Sequence, residues 1–169
     1  ARFLGGRIVV LTAAPQYKCP AAPYETALLV DDYLCKRGLR EKTTIKFFAA
    51  ESRPMFVAGP ELGAAVRGMV EARGIAYHPE HQVKGVDPVN RRISFANGVS
   101  AEYDLLLYVP PHRTPAVVRE AGLTNESGWI PVDRHTLQTQ FENVFAIGDI
   151  TTIPLKMGRP LPKAGVFAH

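Results

Sequence analysis

The sequence predicts an α/β domain built in layers, with a parallel central sheet and an antiparallel β-meander arm. Three observations lead there. Short β-branched runs alternate with helix-period stretches through the first half of the chain, the order that gives parallel strands joined by crossover helices. Asn97-Gly98 stands between two strand-like runs and signals a two-residue hairpin turn. Leu105 to Val109 is uninterrupted and apolar, as expected of a central strand buried on both faces, and Pro110-Pro111 stops it.

Arg7 to Ala13 is the first strand. Tyr24 to Arg37 follows as a helix. Tyr24, Ala27, Leu28, Leu34 and Cys35 share one face, Pro23 and Glu25 suit its start, and Lys36-Arg37 then Gly38 suit its exit. Thr43 to Ala49 is the second strand. Glu61 to Arg73 is the second helix, with Leu62, Ala65, Val66, Met69 and Val70 as its apolar stripe and Gly74 as its stop. Ile75 to His78 is a short strand. Val83 to Val86, Arg92 to Phe95 and Val99 to Tyr103 make the meander. After the central strand come a short helix, Pro115 to Ala121, an extended piece, Trp129 to Val132, and a last strand, Asn143 to Ile147. Pro154, Gly158, Pro160, Pro162 and Gly165 then interrupt every period, so the tail reads as loop.

The 169 residues are 46% hydrophobic and 21% charged, an ordinary globular composition. The net charge is +4, but the Lys and Arg residues are scattered, without a basic face carrying interleaved aromatics, so nucleic acid is not expected as a partner. No apolar run reaches a membrane span and no signal peptide is visible at the start, so the expected location is cytoplasmic. His78 and His81 lack a third ligand, and the two cysteines, Cys19 and Cys35, lack a CxxC spacing, so no metal is expected. The helix between the cysteines rises about 1.5 Å per residue, roughly 16 Å in all, against a disulfide reach of about 7 Å.

Two stretches carry chemistry. Thr139-Gln140-Phe141-Glu142-Asn143-Val144-Phe145-Ala146-Ile147-Gly148-Asp149 is a Thr, a turn, an apolar run and then Gly-Asp, at the end of a strand where α/β folds bind ligands. It resembles the second flavin motif of the pyridine nucleotide-disulfide oxidoreductase superfamily. Lys18-Cys19-Pro20-Ala21-Ala22-Pro23-Tyr24-Glu25, taken with Leu161-Pro162-Lys163-Ala164-Gly165, resembles sulfide:quinone oxidoreductases and flavocytochrome c sulfide dehydrogenases. The resemblance implies a Rossmann-like FAD/NAD(P)-binding domain over residues 1–150, ending in the second FAD motif. Residues 151–169 would be a loop tail leading to a C-terminal region outside this chain. It implies FAD as cofactor, held in the full-length protein, with Gly148, Asp149, Lys163 and Pro111 on the cofactor side and Cys19 as the redox cysteine. The electron donor would be sulfide or another small sulfur compound and the acceptor a quinone or cytochrome. The resemblance allows a homodimer and peripheral membrane contact through regions outside the chain. The first FAD fingerprint, GxGxxG, is absent, so the chain alone is expected to be inactive.

Other readings stand beside this one. A nicotinamide loop needs glycines so that backbone N–H groups meet a pyrophosphate; here Pro20 and Pro23 remove two donors, and Cys19 and Tyr24 add bulk. An NAD(P)H-dependent disulfide reductase or NADH dehydrogenase is therefore the second reading, and a non-catalytic scaffold the third. Cys19, next to Lys18 and just upstream of a helix start, is either a thiol set up for chemistry or a small buried packing residue. Cys35 reads as a core residue, His112 as a surface imidazole, Glu51 as a solvated acid, and Lys163 as either a flavin-side lysine or a solvated one.

Overall fold

The computed structural model describes residues 3–165. They form two compact units, one of the residues up to Tyr17 with Ala21–Pro111, the other of Lys18–Pro20 with the chain from His112 onward. No helix among the described residues is long and apolar enough to cross a membrane.

In the first unit the chain runs through β1 (Gly6–Thr12), α1 (Ala22–Lys36), β2 (Thr43–Ala49), α2 (Pro60–Glu71), β3 (Ala76–His78), β4 (Val83–Asp87), β5 (Arg92–Phe95), β6 (Ser100–Glu102) and β7 (Leu105–Val109). Four strands make a parallel sheet in the order β3-β2-β1-β7, and β4-β5-β6 make an antiparallel sheet. The period of two along β1 divides the core. Ile8 and Val10 point to one face, where Tyr24, Ala27 and Leu34 of α1 and Val70 of α2 pack with Ile45, Phe47 and Tyr77. Val9 and Leu11 point to the other, where Ile93, Phe95, Ala101 and Tyr103 of the meander close over Phe48. Within this unit the helices therefore cover one face and the meander covers the other.

Four expectations change here. β7 is an edge strand among the described residues, since only β1 pairs with it, and Leu105 and Tyr108 are exposed. Its apolar run reads as central because Leu106 and Leu107 still serve the two cores. Cys35 is exposed, not packed. The buried face of α1 is Tyr24, Ala27, Asp31 and Leu34, and one helical step of about 100° carries Cys35 off it. The stripe is hidden in the sequence because position 31 is an acid. On α2, Leu62 and Met69 are exposed while Val70 is buried. Glu51 is buried at 5% exposure instead of solvated.

Asp31 is buried because two arginines meet it. Arg40 Nε lies 2.5 Å from Oδ1 and Arg73 Nη1 3.3 Å from Oδ2. The same Arg40 guanidinium donates to the carbonyls of Thr43 at 2.9 Å and Arg73 at 2.8 Å, tying α1, the start of β2 and the end of α2 together.

His78 stacks on Phe48, with ring centroids 4.6 Å apart, and its Nε2 is buried without a hydrogen-bond partner. Burial, then the nearby His81 and Lys46, hold its pKa below the ordinary value. The unfolded chain therefore takes up this proton first. Its contribution to stability is present above about pH 6.5 and is lost as pH falls towards the lowered native value. Thermal denaturation between neutral and mildly acidic pH should show a smaller drop in Tm for His78→Phe than for the wild type.

The second unit contains α3 (Ala116–Glu120), β8 (Ile130–Pro131) and β9 (Thr151–Thr152), the two strands pairing in parallel. Isolated bridges join Gln138 to Phe145 and Pro154 to Pro160, so the tail is not all loop. The strand expected over Asn143–Ile147 does not form. Asn143 takes a left-handed φ of +59°, and the single bridge at Phe145 is the segment's one strand-like pairing among the described residues. Phe145 and Ile147 are left exposed at 59% and 71%.

Candidate active site

The second unit brings together three pieces of chain far apart in sequence. Lys18–Pro20 are the residues the chain sends into it between β1 and α1. Cys19 is exposed and left-handed, with φ +55°. This conformation costs a non-glycine residue about 1–2 kcal/mol, so surrounding contacts must hold it. The Lys18 N–H donates to His112 Nδ1 at 2.9 Å, and the Cys19 N–H donates to the Lys163 carbonyl at 2.7 Å. The Lys18 ammonium lies 3.2 Å from the Asp149 carboxylate. The packing-residue reading of Cys19 fails on its exposure.

Gly148, Asp149 and Ile150 form a single 3-10 turn. Gly148 has φ +75°, and a Cβ there would meet nothing within 4 Å. The glycine thus supplies a backbone conformation and leaves open space beside the turn. The Asp149 side chain is 42% exposed despite its ion pair. An accessible carboxylate beside an open glycine turn fits a hydroxyl-bearing cofactor that approaches the backbone closely, as a flavin nucleotide does.

Lys163 is not a solvated loop residue. Its ammonium donates to the carbonyls of Asp149 and Thr151, both at 2.7 Å, and lies 3.8 Å from the centre of the Trp129 ring. Burial lowers its pKa, with Lys18 adding to this and Asp149 opposing it. Lys163 thus braces the Gly148–Ile150 turn with its side chain and the cysteine loop with its carbonyl. Trp129, buried beneath it, is a site residue the sequence reading missed. Its one signal was being the chain's single Trp.

His112 is half-buried and engaged rather than a free surface imidazole. A backbone N–H can only donate, so Nδ1 accepts and the neutral ring carries its proton on Nε2. Burial and the Lys18 charge lower its pKa, and Lys163 acts in the same direction against Asp149. Pro111 is exposed and ends the first unit.

Glu51, in the first unit, bears on the nicotinamide reading. Its carboxylate accepts hydrogen bonds from Thr12 Oγ1 at 2.9 Å, Tyr17 OH at 2.7 Å and Tyr24 OH at 2.6 Å. Burial and the Glu51 charge raise the Tyr17 and Tyr24 phenols well above their ordinary range, so both stay protonated as donors, and burial pushes Tyr77 up to about 12. The acid at the end of β2 is where a ribose-binding carboxylate would stand. Here three hydroxyls of the protein itself occupy it.

Among the described residues, no group of three His, Cys, Asp or Glu side chains could hold a metal ion. The family model described as pyridine nucleotide-disulphide oxidoreductase matches residues 6–164. The chain is similar to the mitochondrial sulfide:quinone oxidoreductase of Dictyostelium discoideum, 27% identical over 155 residues, covering 88% of this chain and 34% of that protein. It is also similar to the mouse mitochondrial protein of the same name, 28% identical over 144 residues, covering 81% of this chain and 32% of the relative. Among solved structures, the sulfide:quinone oxidoreductase of Aquifex aeolicus superposes with a TM-score of 0.75 at 27% identity, over 94% of this chain and 39% of that one. The chain spans about a third of the length of the curated relatives it matches.

Proposed function

Because this chain belongs to the pyridine nucleotide-disulphide oxidoreductase family, we propose that it is the central part of an FAD-dependent oxidoreductase of the sulfide:quinone type, with Cys19 as its sulfur carrier. One observation carries the reading: the segments bearing Cys19, Asp149 and Lys163 meet in one unit, through Cys19 N–H to Lys163 O at 2.7 Å and Lys18 to Asp149 at 3.2 Å. The relatives named for sulfide and quinone chemistry support the choice of donor and acceptor classes.

A bound flavin supplies a two-electron acceptor. Asp149 would accept a hydrogen bond from a cofactor hydroxyl, and Gly148 would admit the cofactor close to the backbone. Pro111, just past the carboxyl end of β7, stands where ligands of α/β sheets bind. Lys163 keeps the Gly148–Ile150 turn in place and puts positive charge on the cofactor side. At Cys19, hydrosulfide and the thiol join through one S–S bond and the thiol S–H bond breaks. A flavin held by Gly148, Asp149 and Lys163 would supply the acceptor for the released proton and two electrons, with a quinone or cytochrome as the final acceptor class.

The NAD(P)H-dependent reading is disfavoured by the occupied Glu51 and by the prolines at the α1 start. The test is anaerobic titration of the whole flavoprotein with sulfide and, separately, with NADH. Sulfide should bleach the flavin rapidly and NADH should not. Rapid bleaching by NADH, with none by sulfide, would favour the reductase reading, and a colourless whole protein would favour the scaffold.

A further inference from the structure

We propose that His112 is a positioning residue for Cys19: by accepting the Lys18 N–H, its Nδ1 holds the cysteine loop in the left-handed conformation that exposes the thiol. Two backbone N–H groups in succession are anchored in this loop, Lys18 on His112 Nδ1 and Cys19 on the Lys163 carbonyl. The second acceptor is a peptide oxygen that cannot titrate. The first is an imidazole, which loses its acceptor lone pair when it takes up a proton. A protonated Nδ1 would set one N–H against another and release the loop at Lys18.

The surroundings keep the ring neutral. Lys18 and Lys163 face it with positive charge, Asp149 opposes them, and Arg113, Arg119 and Glu126 line the cleft His112 shares with Trp129. Imidazole is therefore the native form at neutral pH, and the anchor weakens as pH falls below about 6.5. The consequence for turnover rests on the reading of Cys19 as sulfur carrier. The anchor itself does not, and it can be measured without any chemistry at the thiol.

The peptide bond after Lys18 is a trypsin site, so its cleavage rate reports loop opening in the whole protein when opening and closing are fast. Losing one anchoring hydrogen bond and leaving its partner unmet should raise the open population about tenfold. Cleavage at Lys18, read by mass spectrometry, should be about tenfold faster in His112→Leu. It should stay near the wild-type rate in His112→Asn, whose Oδ1 accepts without titrating. Wild-type cleavage rates in both variants, or equal acceleration in both, would overturn the proposal. A second arm uses sulfide-driven flavin reduction across mildly acidic pH. The wild-type rate should fall more steeply than that of His112→Asn, and superimposable profiles would overturn it. If Cys19→Ser retains sulfide-driven reduction, the functional reading fails while the cleavage result still decides the anchor.

Discussion

Cys19→Ser in the whole flavoprotein is expected to lower sulfide-dependent flavin reduction by roughly a thousandfold or more, with the flavin still bound. The proposed step needs a sulfur at position 19 that can bond a second sulfur, and a hydroxyl cannot do this. The substitution changes little else. Cys19 is exposed, its N–H bond to Lys163 is a backbone contact, and Ser tolerates the same φ as well as Cys does. Flavin content should therefore match the wild type, because Gly148, Asp149 and Lys163, the residues proposed to hold it, are untouched. Stopped-flow reduction with sulfide checks the result. Reduction at the wild-type rate would make Cys19 a structural residue and remove the mechanism.

Asp31→Ala is expected to destabilise the first unit by about 3 kcal/mol. The carboxylate is 3% exposed and is the shared anion for Arg40 and Arg73. Removing it leaves the Arg40 guanidinium, only 21% exposed, without its charge partner at the junction of α1, β2 and α2. Asp31→Asn keeps the shape and should lose less. The denaturant midpoint measures both, and a loss below about 1 kcal/mol for the alanine variant would show that carbonyl bonds alone satisfy Arg40.

Much of the fold was legible because periodicity reports burial. The continuous apolar run of β1, the alternation in β5, the Asn97-Gly98 turn and the order of strands and helices all point to the layered sheet observed. The misreadings of Glu51 and of the α1 face share one cause: a partner that composition does not announce. Asp31 and Glu51 are buried acids because Arg40, Arg73, Tyr17 and Tyr24 reach them from distant segments. Asn143–Ile147 has a strand's composition and no strand's neighbours. In the site, Cys19, Gly148, Asp149 and Lys163 stand out through local motifs. Trp129 and His112 do not, since a ring beneath an ammonium and an imidazole accepting an amide are tertiary facts.

The central claim is that substrate sulfur joins Cys19 as electrons leave for the flavin. Its most direct test is a single anaerobic turnover of the whole protein with sulfide, followed by rapid quenching, alkylation and peptide mapping. The mass of one added sulfur atom is expected on the Cys19 peptide, appearing as the flavin absorbance falls. A reduced flavin with an unmodified Cys19 peptide throughout would contradict it.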